Sequence, residues 1–363
     1  MKSQVIRPGR PTHFTLILAL ALHLGCGNAR PGGEKVISHR EHRDGWIQMI
    51  GIDEADGPLK EFYEQMKGGW RPAVYAPPTG DAANIVKVHS LEPEGMRLAF
   101  AMSRYIQWSE KSLPWTVREM LNTVTSRANN CFYCVSSHAE FLRDATKDRE
   151  LAANLKSDFR QAKLPVKERR MLEFVDKLTR SPWLMTETDV SNLREMEYSD
   201  LDILHITMGS SQYSYLNRVA NGLGIRFEYK TDLPEFKIPL DGSAPDPQRV
   251  LSKAASTAGK SVAWIHSPDV ADPERQNGEP RNLFKALGEN APARDGLRKW
   301  REYQLRGTSS LSDRVRTQLG LFVSGLNQCE YSAQWFANKL RALGINEGER
   351  DRLAAGKLPD DQG

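Results

Sequence analysis

Cysteine is scarce in this sequence: four residues among 363, at positions 26, 131, 134 and 329. A scaffold stapled by disulfides would carry more, so that class is excluded. Long apolar runs are lacking too. The one candidate, "FTLILALALHLG" over 14–25, is too short to cross a bilayer comfortably, and nothing after it is apolar enough to do so. Period-two alternation of apolar and polar residues is almost absent, which argues against a sheet-based fold. Strong net charge is also missing. The formal charge is +4, and without Lys2, Arg7 and Arg10 the chain has 47 basic against 46 acidic residues. A body so close to neutral offers no electrostatic footprint for nucleic acid.

What is present divides the chain into parts. Basic residues, the short apolar run and then Gly25-Cys26 read as an export signal over 1–26, with Cys26 placed for lipidation or, more plainly, near an ordinary cleavage site. His23 stands where a lipoprotein signal usually has an aliphatic residue. The expected location is therefore the bacterial periplasm, or the cell envelope through a lipid anchor at Cys26. Beyond the signal, apolar residues recur at three- and four-residue intervals in "DGPLKEFYEQMK" (56–67), "TVREMLNTVTSRA" (116–128), "VSSHAEFLRDAT" (135–146), "KERRMLEFVDKLTR" (167–180) and "DLDILHITMGSSQYSYLNRVANGLG" (200–224). This periodicity predicts an all-α fold. A stretch rich in Pro, Asp and Ser over 229–258 reads as a linker between a first domain, 27–228, and a second, 259–363.

The second domain contains a copy of part of the first. Shifted by 198 residues, "LPWTVREMLNTVTSRANNCFYCVSSHAEFLR" (113–143) lies over "LSDRVRTQLGLFVSGLNQCEYSAQWFANKLR" (311–341), with eleven identities in 31 ungapped positions. Duplication of a helical unit explains this best. In the second copy Glu119 is replaced by Thr317, Cys134 by Ser332 and His138 by Phe336, while apolar positions persist and Cys131 keeps a counterpart in Cys329. Packing has been retained and polar chemistry lost, so Glu119, Cys134 and His138 are marked as functional in the first copy.

Helical spacing puts Cys131, Cys134 and His138 on one face, three and four residues apart. A preceding antiparallel helix would bring Glu119 opposite His138. A carboxylate facing an imidazole facing a thiol manages protons around a dithiol, because the thiolate is the nucleophile and both a helix N-terminus and an imidazolium favour it. The second thiol would then resolve a sulfenic acid to a disulfide. Competing readings fit less well. Covalent haem attachment needs His directly after the second cysteine, where Val135 stands; structural zinc needs a second ligand pair with suitable spacing; and a thioredoxin motif belongs in a βαβ unit. Burial of Cys131 and Cys134 as small core residues is the plain alternative.

Glu119, eleven residues, Cys131-x-x-Cys134, three residues and His138 together resemble the signature of the alkyl hydroperoxidase D family in the carboxymuconolactone decarboxylase-like superfamily. The resemblance extends over about residues 46–228 through "ANIVKVHSLEPEGM" (83–96) and "YLNRVANGLG" (215–224), and the repeat makes the chain look like a tandem, half-degenerate member. It implies an all-helical fold, oligomerisation, and reduction of a hydroperoxide substrate by the cysteine pair without metal, haem or other cofactor, with a thiol or disulfide protein as reductant. Its proton relay carries over as Glu119, Cys131, Cys134 and His138. The pattern departs at Tyr133, where the best-studied members carry a second relay histidine. Decarboxylase members lack the cysteine pair and act through histidine.

A function of another class would be a non-catalytic exported binding or assembly protein whose cysteines form a static disulfide; that role would need neither Glu119 nor His138. Hydrolytic or decarboxylating chemistry through His138 is a third reading. Elsewhere His89 and His205 read as packing or capping residues, Asn217 and Arg218 as structural at a helix end, and "SHREHRD" (38–44) and "KERR" (167–170) as solvated faces in which His39 and His42 give only a weak metal signal. Trp108, Trp115, Trp300 and Trp335 are expected in core and repeat interfaces.

Overall fold

The computed structural model describes residues 44–67, 75–109, 113–235, 264–265, 281–288, 290–306 and 310–357. The expected export signal with Cys26, together with His39 and His42, lies outside these residues. So does most of the expected linker, from 236 onward. Among the described residues there are fourteen α-helices and no strand, so the all-α expectation holds. None of these helices is long and apolar enough to cross a membrane.

The helices are α1 (Gly57–Lys67), α2 (Asn84–Lys87), α3 (Pro93–Trp108), α4 (Trp115–Ala128), α5 (Phe132–Thr146), α6 (Arg149–Ser157), α7 (Val166–Arg180), α8 (Glu187–Glu195), α9 (Asp200–Gly222), α10 (Arg281–Ala286), α11 (Ala291–Arg306), α12 (Asp313–Leu326), α13 (Glu330–Ala342) and α14 (Glu347–Ala354). Local signals explain several boundaries. Pro93 begins α3, where its missing N–H costs nothing. Capping boxes at Thr186/Asp189 and Ser199/Asp202 open α8 and α9, satisfying otherwise orphaned N–H groups. The main core forms where α4 meets α7 and α9, with Leu121, Val124, Met171, Leu172, Val175 and Ile206 all buried. The start of the expected linker is seated on the first domain: Leu233 is buried with Ala139 of α5 and Ala152 of α6, and Thr231 donates to Glu140.

The 198-residue offset seen in the sequence aligns more than the two helices that revealed it. Helix α11 begins and ends 198 residues after α3, and α12 does so after α4; α13 and α14 begin 198 residues after α5 and α6. The hydrogen bonds at the sharp turn also repeat. Cys131 N–H donates to the Ser126 carbonyl at 3.0 Å and Cys329 N–H to that of Ser324 at 2.9 Å. Asn130 and Gln328 both take left-handed backbone, at φ 52° and 49°. Asn tolerates that region better than most residues, so the second copy keeps the turn with a less suited side chain. Even the caps correspond: Asp148 accepts from Leu151 N–H at the start of α6, and Asn346 from Glu349 N–H at the start of α14.

The two copies meet through equivalent helices. Helix α11 packs along α3, and the residue pairs run in opposite directions: Gly95 lies under the Tyr303 ring and Met102 reaches Gly296. A methyl group at Gly95 would come within 2.9 Å of that ring, so the small residue permits the approach. Under the offset, Gly95 corresponds to Ala293 and Tyr303 to Tyr105. Tyr105 indeed packs on the cluster containing buried Ala293. Reciprocal contacts of this kind are what a twofold axis produces. Trp300 completes the contact, edge-on to Tyr215 and stacked on Tyr303, as expected for a repeat-interface tryptophan.

Candidate active site

The turn between α4 and α5 brings the sequence-marked residues together. Cys131 caps α5, and its sulfur accepts from the Cys134 N–H at 3.3 Å. The two thiols are 2.7 Å apart and both are buried. One helix earlier, Glu119 is fully buried, and its Oε2 accepts from His138 Nδ1 at 2.7 Å. That bond places the Nδ1 proton on the ring side facing the carboxylate. Cys134 and His138 then line a shared cavity of about 60 Å³ with Tyr75, Phe100, Ser103, Tyr133, Phe141 and Tyr213 among its walls. His138 thus approaches the dithiol across this cavity, with its ring held edge-on by Tyr213 and Phe141. Cys131 lies behind it, in an apolar cluster with Val88, Ala220 and Ile225.

Glu119 is held by more groups than sequence spacing revealed. Tyr75 Oη and Gln107 Nε2 each donate to its Oε1 at 2.5 Å, and Asn122 Nδ2 donates at 3.4 Å. Trp115 in turn donates from Nε1 to Tyr75 Oη at 2.6 Å, and Trp108 packs edge-on to the Tyr75 ring. These two tryptophans therefore support the site itself. A carboxyl group meeting donors on all sides is fixed as an acceptor, which is what orienting a histidine requires. Burial and the adjacent Glu119 hold the Tyr75 phenol proton far above its ordinary range.

The dithiol has its own electrostatics. Burial pushes the Cys134 thiol well above the usual thiol range, reinforced by the contact with Cys131 and by Glu228, and opposed by a hydrogen bond from Asn217. Desolvation of the anion thus opposes the acidity that a helix start and a nearby imidazole were expected to give this thiol. Asn217 was expected to be only structural. It also bonds Ser126 and Asn129, so it ties the thiol to the α4–α5 turn. Glu228 accepts from Tyr133 Oη and Asn84 N–H, both at 2.8 Å, through Oε1. Its Oε2 is buried without a hydrogen-bond partner, and burial raises this carboxyl's pKa. Tyr133 therefore connects the dithiol helix to a second buried carboxyl group.

Other candidates lie apart from this chemistry. His89 is half-buried, bonded to the Ile85 carbonyl and Tyr215 Oη at 3.0 Å each, and packed edge-on to Phe100. His205 is buried in α9 beside Tyr105, while Arg218 bonds a carbonyl of its own helix. Among the described residues no cluster of three or more His, Cys, Asp or Glu side chains has the placement to hold a metal ion. In the second copy the corresponding space is filled: a methyl group at Gly320, the counterpart of Asn122, would meet the Phe336 ring at 2.3 Å. Cys329 and Ser332 retain the paired placement at 3.5 Å, but with a hydroxyl where the second thiol would stand.

Residues 93–155 match the carboxymuconolactone decarboxylase family, a stretch running from α3 into α6. Among solved structures, one described as an alkylhydroperoxidase core and uncharacterized peroxidase-related protein from Ralstonia eutropha is 24% identical, covering 51% of this chain and 93% of that one at a TM-score of 0.45. A peroxidase-related protein from a Silicibacter species is 26% identical, with 51% and 92% covered and a TM-score of 0.45. No curated protein matches.

Proposed function

From a chain that carries a segment of the alkyl hydroperoxidase D-like, carboxymuconolactone decarboxylase-like superfamily, we propose a thiol-dependent oxidoreductase that reduces small hydroperoxides at Cys131 and Cys134. The observation that carries this reading is the joint placement of Cys134 and the Glu119-held His138 on one cavity, with Cys131 2.7 Å behind Cys134. A static disulfide would have no use for a buried carboxylate–imidazole pair on its open side. The cavity volume of about 60 Å³ accommodates roughly two water-sized groups. It fits hydrogen peroxide or the –OOH end of a larger hydroperoxide.

In this scheme His138 takes the Cys134 thiol proton, which the buried thiol does not release unaided. The thiolate attacks the distal peroxide oxygen, the O–O bond breaks, and the departing oxygen receives the proton held by His138, leaving an alcohol and a Cys134 sulfenic acid. Cys131 then gives up its proton and attacks the Cys134 sulfur. The hydroxide leaves with that proton as water, and the disulfide forms. An external dithiol protein would return both thiols to the reduced state. Glu119 orients His138 and stabilises its protonated form.

Peroxide consumption by the reduced chain, followed together with loss of free thiol, tests the scheme. Two thiols should be lost per peroxide consumed, and Cys134→Ser should abolish both signals. Peroxide-independent thiol content, or turnover insensitive to thiol alkylation, would reject the dithiol reading in favour of a structural disulfide or histidine-only chemistry.

A further inference from the structure

Five large apolar residues of the second copy form one stripe facing solvent. Leu311, Val315, Leu319, Val323 and Leu326 recur at three- and four-residue intervals along α12 and the residues before it, and are between 39% and 49% exposed. Their counterparts under the 198-residue offset, Leu113, Val117, Leu121, Thr125 and Ala128, are between 0% and 9% exposed. The difference has a visible cause. In the first copy α7 and α9 cover α4: Gly209 of α9 closes on Leu121, and Ser210 of α9 meets Thr125 at 3.4 Å. Among the described residues α12 packs on α11, α13 and α14, and no helix takes the place that α7 and α9 take on α4.

The stripe is not simply a remnant of lost packing. Where the first copy has Thr125 and Ala128, the exposed stripe has Val323 and Leu326, so its surface is the more apolar of the two. Contiguous apolar surface of this kind marks an interaction site. Two of the three charged residues of the same helix are already engaged within the copy, Asp313 with Lys339 and Arg314 with Glu349. Covering the stripe would therefore strand neither of these charges.

We propose that α12 pairs with α12 of a second copy of this chain, antiparallel about a twofold axis at Leu319. The order Leu, Val, Leu, Val, Leu reads alike in both directions. Antiparallel pairing sets Val315 against the partner's Val323, Leu311 near the partner's Leu326, and Leu319 against itself. This self-complementarity favours a second copy over an unrelated polypeptide, and one twofold contact covers the stripe on both chains. The chain already uses this device internally, where α3 and α11 pair antiparallel with reciprocal contacts. A single helix pair is a small interface, below about 1,200 Å² in total, which places the dimer in the weak class with dissociation near the micromolar range.

Sedimentation velocity on the full chain, from about 1 to 100 µM, tests this independently of any peroxidase activity. The wild-type mass should double across that range. Leu319→Lys and Leu319→Glu, each placing like charges on the axis, should weaken self-association at least tenfold, whereas an equal mixture of the two should restore it. Leu343→Lys, at an exposed leucine off the stripe, should leave the dimer intact, and far-UV circular dichroism should be unchanged in all variants. A wild-type chain that remains monomeric, a dimer insensitive to Leu319, or a stripe occupied instead by a different co-purifying polypeptide would each overturn the proposal.

Discussion

His138 donates through Nδ1 to Oε2 of Glu119 at 2.7 Å, and the three other side chains bonding that carboxyl, Tyr75, Gln107 and Asn122, also meet it as donors. Replacement of Glu119 by Gln keeps the shape but turns one acceptor into a donor facing donors. The negative charge that supports a protonated imidazole is also lost. Peroxide reduction should fall by roughly one to three orders of magnitude, with the pH–rate profile displaced. Circular dichroism should show the fold retained. An unchanged profile in Glu119→Gln would remove this carboxylate from the mechanism.

How much of this was legible depended on separation along the chain. Glu119, Cys131, Cys134 and His138 occupy two consecutive helices, so helical periodicity alone could bring them together. Tyr75 meets Glu119 from 44 residues away and Glu228 meets Tyr133 from 95 residues away, and no local period encodes such contacts. Asn217 looked like helix-end furniture because its partners, Ser126 and Asn129, are brought near only when α9 packs on α4. The second copy shows a different limit. Apolar positions persist in the second copy as packing would require, yet Leu319 and Leu326 face solvent. A pattern records which face is apolar, but not whether anything covers it.

The dithiol should respond to pH in the direction that burial sets. The Cys134 thiol is raised above its ordinary range, so unfolding exposes a more acidic group than the fold contains. Stability from this thiol is fully present below the unfolded thiol pKa of about 8.5 and is lost as pH rises through the higher folded value. Reduced wild type should therefore lose more thermal stability above about pH 8.5 than Cys134→Ser does. Iodoacetamide labelling of Cys134 should be slow at neutral pH. Because Glu228 raises this thiol further, Glu228→Gln should lower its pKa and speed neutral-pH labelling. Slower or unchanged labelling would detach Glu228 from the dithiol.

Access distinguishes the two cysteines. Both cysteines belong to the apolar cluster at the start of α5, but of the two only Cys134 lines the cavity shared with His138. In the proposed scheme Cys134 therefore attacks the peroxide and Cys131 resolves the sulfenic acid. With Cys131→Ser, peroxide should leave a sulfenic acid at Cys134 that a dimedone-type reagent captures, identified by peptide mass. Cys134→Ser should give no such adduct. An adduct at Cys131 in the latter variant would exchange the two roles.

The second copy is expected to serve the first as a fixed partner subunit, with no catalysis of its own. Phe336 and Thr317 stand where His138 and Glu119 stand in the first copy, and Ser332 leaves Cys329 without a second thiol. Cys329 is exposed and distant from the chemistry by sequence and by repeat position, so Cys329→Ser should retain peroxide reduction within about twofold, since surface substitutions are usually near neutral. Loss of the whole copy is a different matter. Trp300 and Tyr303 of α11 cover Tyr215 and Gly95, and Tyr105 reaches across to Asn290 at 2.5 Å. A chain lacking 259–363 should expose that face of α3 and α9, and light scattering should report aggregation or a larger oligomer. Fusion holds the covering surface at an effective concentration that a separate domain would reach only in the millimolar range. A soluble, active, monomeric truncation would show that α3 needs no partner, and loss of activity in Cys329→Ser would return chemistry to the second copy.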